Sequence, residues 1–214
     1  MELNKYIDHT LLNSDATERQ IIQLCEEAKK HDFYSVCINS SYVPIARQAL
    51  LHSDIKICTV VGFPLGAMST DAKIFEAKKA IEQGADEIDM VMNIGLIKSR
   101  NYLGLLKDIS NVKLAIGKVP LKIILEISEL SKNEIVKACE ICLDAKVDFV
   151  KTSTGFSKSG ATLTAVKIIK KTVRNFIKIK ASGGISDAET ASKYIDAGVE
   201  RIGTSAGVAI ALAS

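Results

Sequence analysis

No stretch of the 214-residue chain is apolar for long enough to cross a membrane, which takes about 20 consecutive apolar residues. The opening MELNKYIDHT lacks the apolar centre of a secretory signal. No basic block occurs, and no stripe of interleaved basic and aromatic residues; with a net charge of only +3, nucleic acid is a poor partner. The five cysteines are odd in number and scattered through the predicted elements, which fits a reducing cytoplasm rather than a disulfide framework. Cys139 and Cys142 form a C-x-x-C, but within a helical pattern, without a second pair or a nearby histidine. Two buried thiols on one helix face are expected there, not a zinc or redox centre. His9, His31 and His52 are far apart in sequence, and no grouping of histidines and carboxylates suggests a metal. Nor is there a convincing Ser-His-Asp order, a G-x-G-x-x-G after the first strand, or a G-x-x-x-x-G-K-[ST] loop.

What is present is ordinary globular material, 47% hydrophobic and 25% charged, enough for one large core or two small ones. Apolar periodicity predicts alternating strands and helices. Strands are expected at 7–12, 35–39, 55–61, 87–92, 121–127, 147–151, 177–180 and 201–204. Helices are expected at 17–30, 42–51, 70–83, over most of 102–117, from Ser131, at 164–174, up to Ala197, and at 205–212. Ser41 is the expected N-cap of the second helix, with Pro44 harmless in its first turn. Ser131 with Glu134, and Ser186 with Glu189, have capping-box spacing. Eight strands each followed by helix, with no linker or composition shift, predict an α/β fold: a closed (β/α)8 barrel (TIM barrel) forming a single domain over residues 1–214. The alternative is an open doubly wound sheet.

A weak internal repeat favours the barrel. The segments 32–37 (DFYSVC), 84–89 (GADEID), 146–151 (KVDFVK) and 198–203 (GVERIG) each run from a helix-terminating position into a strand, and they supply strands 2, 4, 6 and 8. Alternate barrel strands share interior layers, so Cys37, Asp89, Lys151 and Gly203 are expected at one level near the strands' C-terminal ends, with apolar layers beneath.

Lys151 stands out in VDFVKTSTGF. It ends a β-prone apolar run, where an ammonium group must be paired, neutral or functional; a lysine snorkelling from a strand end is the bland alternative. Lys180 ends the neighbouring strand 7, about 4.8 Å away. A free lysine near pKa 10.4 is neutral in only about one molecule in a thousand at pH 7.4. Burial and a second ammonium both favour the neutral amine, which suits Schiff-base chemistry on a carbonyl. One lysine would attack while the other, with Asp89, keeps its neighbour neutral and moves protons. Gly183 and Gly184 after strand 7, Gly203 and Ser205 at strand 8, and Gly155 after Lys151 lie where barrels commonly hold phosphate on backbone N–H groups and a short helix N-terminus. Each glycine could equally be a plain turn.

Taken together, DHTLL (8–12), VVGFPLG (60–66), GADEIDMV (84–91), DFVKTSTGF (148–156), KASGGI (180–185) and RIGTSAGVAI (201–210) resemble the deoxyribose-phosphate aldolases, a class I aldolase family. The similarity runs nearly the full length. It implies a barrel carbon–carbon lyase of deoxyribonucleotide and carbohydrate catabolism in the cytoplasm. The implied reaction is reversible cleavage of 2-deoxy-D-ribose 5-phosphate into acetaldehyde and D-glyceraldehyde 3-phosphate. It implies a Schiff base at Lys151 and proton-relay roles for Lys180 and Asp89. Phosphate contacts fall on Gly155, Gly183, Gly184, Gly203 and Ser205. Asp8, Thr10 and the non-catalytic Cys37 match positions that line the family's site. No metal or organic cofactor is implied, and the partner is a small phosphosugar. A homodimer is the working expectation for assembly, although no motif encodes it.

Three departures stand out. Lys146 occupies a position where the family usually has glycine, and a left-handed residue there would cost about 1–2 kcal/mol. Ala206 replaces a serine found in some relatives. Lys178 shares a strand face with Lys180 and is expected to reach solvent at the N-terminal end of the barrel. Two other functions fit less well: a transaldolase-like Schiff-base enzyme for another sugar, and a phosphosugar-binding barrel without catalysis, which would gain nothing from a neutralised lysine.

Overall fold

The computed structural model describes residues 2–213; Met1 and Ser214, the ends of the expected domain, lie outside the described residues. Eight strands form a closed, all-parallel barrel in chain order. They are β1 (Ile7–Leu11), β2 (Ser35–Ile38), β3 (Lys56–Val61), β4 (Glu87–Val91), β5 (Leu121–Ile124), β6 (Phe149–Lys151), β7 (Lys178–Ser182) and β8 (Arg201–Thr204). β8 closes on β1 through the pairs Ile7↔Ile202, Asp8↔Gly203 and His9↔Thr204. Outside the barrel, among the described residues, lie α1 (Glu18–Lys30), α2 (Val43–Ala49), α3 (Thr70–Glu82), α4 (Ile94–Lys98), α5 (Tyr102–Ile116), α6 (Lys132–Asp144), α7 (Leu163–Val173), α8 (Ala188–Asp196) and α9 (Gly207–Leu212). None of these helices is long and apolar enough to cross a membrane.

Outward-facing strand residues such as Val36, Ile57, Ile88, Ile123, Val150, Ile179 and Ile202 pack in one cluster with helix residues such as Ile21, Ala77, Ile109, Ala138 and Ile169. That is the large core: branched side chains favoured on a pleated surface facing the apolar stripe of each helix. Cys139 and Cys142 are both buried on α6, free thiols in this core.

The internal repeat has a physical basis. Asp32, Gly84, Lys146 and Gly198 all take positive φ, at 52°, 111°, 55° and 94°. Two positions further on, three of the four repeats carry an acid that does the same job. Asp86 accepts from the N–H of Ile57 at 2.8 Å and pairs with Arg47. Asp148 accepts from the N–H of Leu121 at 2.8 Å and pairs with Lys113. Glu200 accepts from the N–H of Ile179 at 2.8 Å and faces Lys170 at 3.7 Å. Each acid satisfies an N–H at the start of the preceding strand, which the ladder leaves unpaired.

Several local expectations differ from the structure. Ser41 caps nothing: a 3-10 turn, Ser40–Tyr42, precedes α2, and Tyr42 is the N-cap without a side-chain bond. Ser186 is not the cap of α8. Asp187, one residue nearer the helix, accepts from the N–H of Thr190 at 2.8 Å. The Ser131–Glu134 capping box is present, and a second one, Thr17–Gln20, opens α1. The short α4 had no periodic signature; Asn93 caps it and Gly95 disguises it as loop. β5 stops at Ile124 rather than Ile127 because Glu126 turns left-handed and a 3-10 turn, Ile127–Glu129, follows. Lys178 is exposed at the N-terminal end of the barrel, its Nζ 5.6 Å from the Phe149 ring centroid.

Candidate active site

Successive strand residues point to opposite faces, so Asp89, Lys151 and Lys180 enter the barrel from β4, β6 and β7. Lys151 and Lys180 are register partners. Both side-chain nitrogens meet one oxygen: Asp89 Oδ2 lies 2.8 Å from Lys151 Nζ and 2.8 Å from Lys180 Nζ. Cys37 Sγ lies 4.0 Å from the same oxygen. Cys37, Asp89 and Lys151 are therefore one interior layer, as alternate-strand geometry requires. Gly203 completes it. A Cβ on Gly203 would come within 3.0 Å of Lys180 Cε, so the absent side chain is what admits the lysine.

The layers beneath are not apolar. Lys122, on β5, spans Asp89 Oδ1 at 2.8 Å and Glu87 Oε2 at 2.7 Å. Arg201 donates through Nε to Asp8 Oδ1 at 2.7 Å, reaches Glu87 Oε2 at 3.0 Å and lies 3.5 Å over the Tyr34 ring. Ser35 donates to Asp8 at 2.7 Å, and Lys180 also pairs with Asp8. Cys58 donates its thiol proton to Asp89 Oδ1 at 3.0 Å. The expectation of an apolar filling fails because each inward charge meets an opposite charge from another strand, adjacent or across the barrel, and a buried charge needs such a partner.

Sequence reasoning missed Lys122, Glu87, Arg201 and Cys58. Lys122 carried the same signal as Lys151, a lysine inside an apolar strand, and could have been found. The other three became legible only through the register.

Charge acts strongly in this interior. Burial pushes the Asp89 carboxyl up, but Lys122, Lys151 and Lys180 together hold it well below the usual carboxylate range. Asp8 is likewise raised by burial and pulled lower overall by Arg201, Lys180 and Lys122. Burial disfavours the Lys180 ammonium, yet Asp8 and Asp89 hold its proton well above the ordinary lysine range. Lys122 is disfavoured by burial and raised overall, with Asp89 the first of its partners.

These shifts set a pH window for stability. Asp8 and Asp89 have depressed folded values, so their contribution is present above an unfolded value of about 4 and is lost as pH falls through the folded ones. Lys122 and Lys180 have raised folded values, so theirs is present below about 10.4 and is lost as pH rises through the folded ones. The expected result is a thermal midpoint nearly flat from roughly pH 5 to 9, falling on both sides. A scanning-calorimetry series that declined steadily between those limits would show that the network does not govern stability.

Above the network opens a cavity of about 380 Å³. Of the seven charged network members, Lys151 alone lines it; Lys151 is 2% exposed, while Lys180, Lys122 and Asp89 are at 0%. Thr10, Gly155, Gly183, Gly184, Gly203 and Ser205 also line this cavity. Asp8 and Cys37 do not: both are fully buried beneath its floor. Gly183 and Gly184 are successive left-handed residues, at φ 89° and 77°, a conformation glycine adopts without a Cβ penalty. α9 is only six residues long, and the Ala206 N–H already donates to Thr204 Oγ1 at 2.9 Å. Bare loop backbone and Ser205, rather than a helix end, are what this wall offers an anion.

Cys37, Cys58 and Asp89, and separately Asp8, Cys58 and Glu87, bring ligand atoms within 4.8 Å of one another. In both groups the carboxylates are already engaged by Lys122, Lys151, Lys180 or Arg201. The arrangement suits an amine nucleophile better than a cation.

Comparison with known proteins agrees with this geometry. Residues 3–214 match the model of the DeoC/LacD family aldolases. A deoxyribose-phosphate aldolase of Actinobacillus succinogenes is 54% identical over 209 residues, covering 98% of this chain and 93% of its own. One of Lactococcus lactis subsp. lactis is 53% identical, covering 98% and 96%. The solved deoxyribose phosphate aldolase of Aeropyrum pernix, described as a tetramer, superposes with a TM-score of 0.91 at 30% identity, covering 98% of this chain and 89% of its own.

Proposed function

Because the chain belongs to the DeoC/LacD family of aldolases, we propose that Lys151 carries the class I aldol cleavage of 2-deoxy-D-ribose 5-phosphate to acetaldehyde and D-glyceraldehyde 3-phosphate. One observation carries the residue assignment. Lys151 is the only charged group of the buried network that reaches the cavity. The bonded network holds four cations, Lys122, Lys151, Lys180 and Arg201, against three carboxylates, Asp8, Glu87 and Asp89. Lys122 and Lys180 are held protonated by the carboxylates they bridge, and a guanidinium does not release its proton. That leaves Lys151, the member at the cavity, as the nucleophile.

The neutral amine attacks the C1 aldehyde of the open-chain sugar; proton uptake and loss of water leave a protonated imine on Lys151. The imine restores the positive charge beside Asp89. The C3 hydroxyl then gives its proton to a water molecule in the cavity, the C2–C3 electrons flow to the imine nitrogen, and D-glyceraldehyde 3-phosphate leaves. The remaining enamine takes a proton at C2, and water releases acetaldehyde. Asp89 and Lys180 lie beneath the floor, so they act on the reacting atoms through the contact Asp89 shares with Lys151, fixing its charge and passing protons along it.

Gly155, Gly183, Gly184, Gly203 and Ser205 are the proposed phosphate wall, with Thr10 beside the sugar. Asp8 and Cys37 act from beneath rather than by touching substrate. Phosphosugar catabolism in the cytoplasm, by one barrel domain assembled as a homodimer, completes the reading. Five buried free cysteines support a reducing compartment.

The test is acetaldehyde release measured by a coupled alcohol dehydrogenase. Deoxyribose 5-phosphate is expected to be cleaved, and unphosphorylated deoxyribose at least about 100-fold less efficiently, since two charge-assisted hydrogen bonds at about 1.5 kcal/mol each amount to that. Equal efficiency on both sugars would make the loops after β7 and β8 ordinary turns.

A further inference from the structure

Beside Lys151, the β5–β6 ladder slips by one residue. The Leu125 N–H bonds the carbonyl of Lys151 at 2.9 Å, and the Ile127 N–H bonds the carbonyl of Thr152 at 3.0 Å. Two residues of one chain segment thus oppose one of the other, with Glu126 as the extra residue. Such bulges re-aim a side chain, often next to an active site. Glu126 is held left-handed, at φ 55° and ψ 65°, a conformation that carries a free-energy penalty for any residue with a Cβ. It is also 3% exposed. Burial pushes its carboxyl up, opposed by its bonds to Thr154.

The carboxyl is aimed over β6. Glu126 Oε2 accepts from the Thr154 hydroxyl, and both oxygens lie 3.4 Å from the Thr154 N–H. Thr154 Oγ1 in turn accepts from the Phe156 N–H at 3.0 Å. A hydroxyl has one proton to give and two lone pairs to accept with. With the proton spent on Glu126 and one lone pair on Phe156, Thr154 faces the cavity it lines as an acceptor only.

We propose that Glu126 is a positioning residue: it fixes the Thr154–Gly155–Phe156 turn and orients the Thr154 hydroxyl to accept from a hydroxyl group of the sugar chain. This rests on the phosphosugar-cleavage reading above and adds to it the reason for the strained bulge. The neighbouring ties between the same loops, Ser128 to Ser157 at 3.1 Å and Glu129 to Lys158 at 2.9 Å, are exposed. Exposed ties of this kind contribute little, so Glu126 is the member that holds the turn.

The test compares Glu126→Gly and Glu126→Asn with Glu126→Gln. Glycine and asparagine both tolerate the left-handed backbone, and neither reaches Thr154. The glutamine carbonyl does reach, and still accepts the threonine proton. Four quantities are measured: kcat and KM for deoxyribose 5-phosphate, the rate of borohydride trapping of acetaldehyde alone at Lys151, and the thermal midpoint. The Gly and Asn variants are expected to raise KM about 10-fold, a loss of roughly one hydrogen bond, and to trap acetaldehyde within about twofold of wild type. Glu126→Gln should stay within about threefold of wild-type KM. Unchanged KM in the Gly and Asn variants overturns the proposal. So does an equal loss of acetaldehyde trapping, which would place Glu126 on Lys151 or on the fold. A kcat loss in Glu126→Gln at normal KM overturns it too, since the charge and not the bond would then matter. A wild-type chain that fails to cleave the phosphosugar removes both readings, whereas a cleaving wild type with indifferent variants removes only this one.

Discussion

Borohydride reduction in the presence of deoxyribose 5-phosphate is expected to add mass to the peptide carrying Lys151 and to no other. Three lysines converge on the Asp89 carboxylate, each at 2.8 Å, so proximity to that carboxylate does not separate them. Access and charge do. Lys122 and Lys180 are sealed beneath the floor, while Lys151 lines the cavity. The carboxylates around them hold Lys122 and Lys180 protonated, so neither offers a free amine. Lys151→Leu leaves three cations against three carboxylates and should fold; Lys151→Arg keeps the charge and cannot attack. Both should lose on the order of 10⁵-fold or more in kcat, the scale seen when a covalent nucleophile is removed. Peptide mass mapping reads the trapped site, and a chelator in the reaction should change nothing. Mass on Lys122 or Lys180 instead, or activity lost to the chelator, would remove the assignment.

Lys180→Leu is expected to cost about 10²- to 10⁴-fold in kcat, the range of a lost acid–base partner, while leaving the barrel folded. The variant removes a positive charge that shares Asp89 Oδ2 with Lys151, and with it the like-charge proximity that favours a neutral amine nucleophile. Folding survives because Asp8 keeps Arg201 and Ser35, and Asp89 keeps Lys122, Lys151 and the Cys58 thiol. An apolar side chain in the same place also avoids burying a charge. Lys180→Arg keeps the charge, but its planar fork does not reproduce the point contacts that the ammonium makes with Asp8 and Asp89. Its expected signature is residual imine trapping with turnover lost. The room beside Lys180 is small, a Cβ on Gly203 coming within 3.0 Å of its Cε, so the thermal midpoint is recorded alongside. The deciding measurement is the pH dependence of trapping at Lys151 in wild type and both variants. Trapping should set in at higher pH in Lys180→Leu. If Lys180→Leu traps as readily at neutral pH as wild type, Lys180 does not tune the nucleophile and burial alone does.

The alternation of apolar strands and amphipathic helices was legible along the chain because each pattern has its own short period. The repeat at 32–37, 84–89, 146–151 and 198–203 was legible for the same reason: each copy solves one local problem, a left-handed helix exit followed by an inward strand. Strand and helix ends were less legible. Ser186 and Asp187 both offer a capping oxygen, and only the turn geometry selects Asp187. The end of β5 is invisible in sequence, since nothing in Ile-Leu-Glu-Ile announces a bulge at Glu126.

By itself, then, the sequence determined the barrel, the family and the lysine at the end of β6, because periodicity and local motifs are written into contiguous residues. Tertiary structure decided which charges share the interior. Lys122, Glu87, Arg201 and Asp8 come from four strands, 193 positions separating Asp8 from Arg201, and only the closure of β8 on β1 brings those two together. Nor does either residue's own segment show that Asp8 and Cys37 are fully buried and off the cavity wall, since depth in a barrel is set by strand register, a relation between segments that no single segment contains.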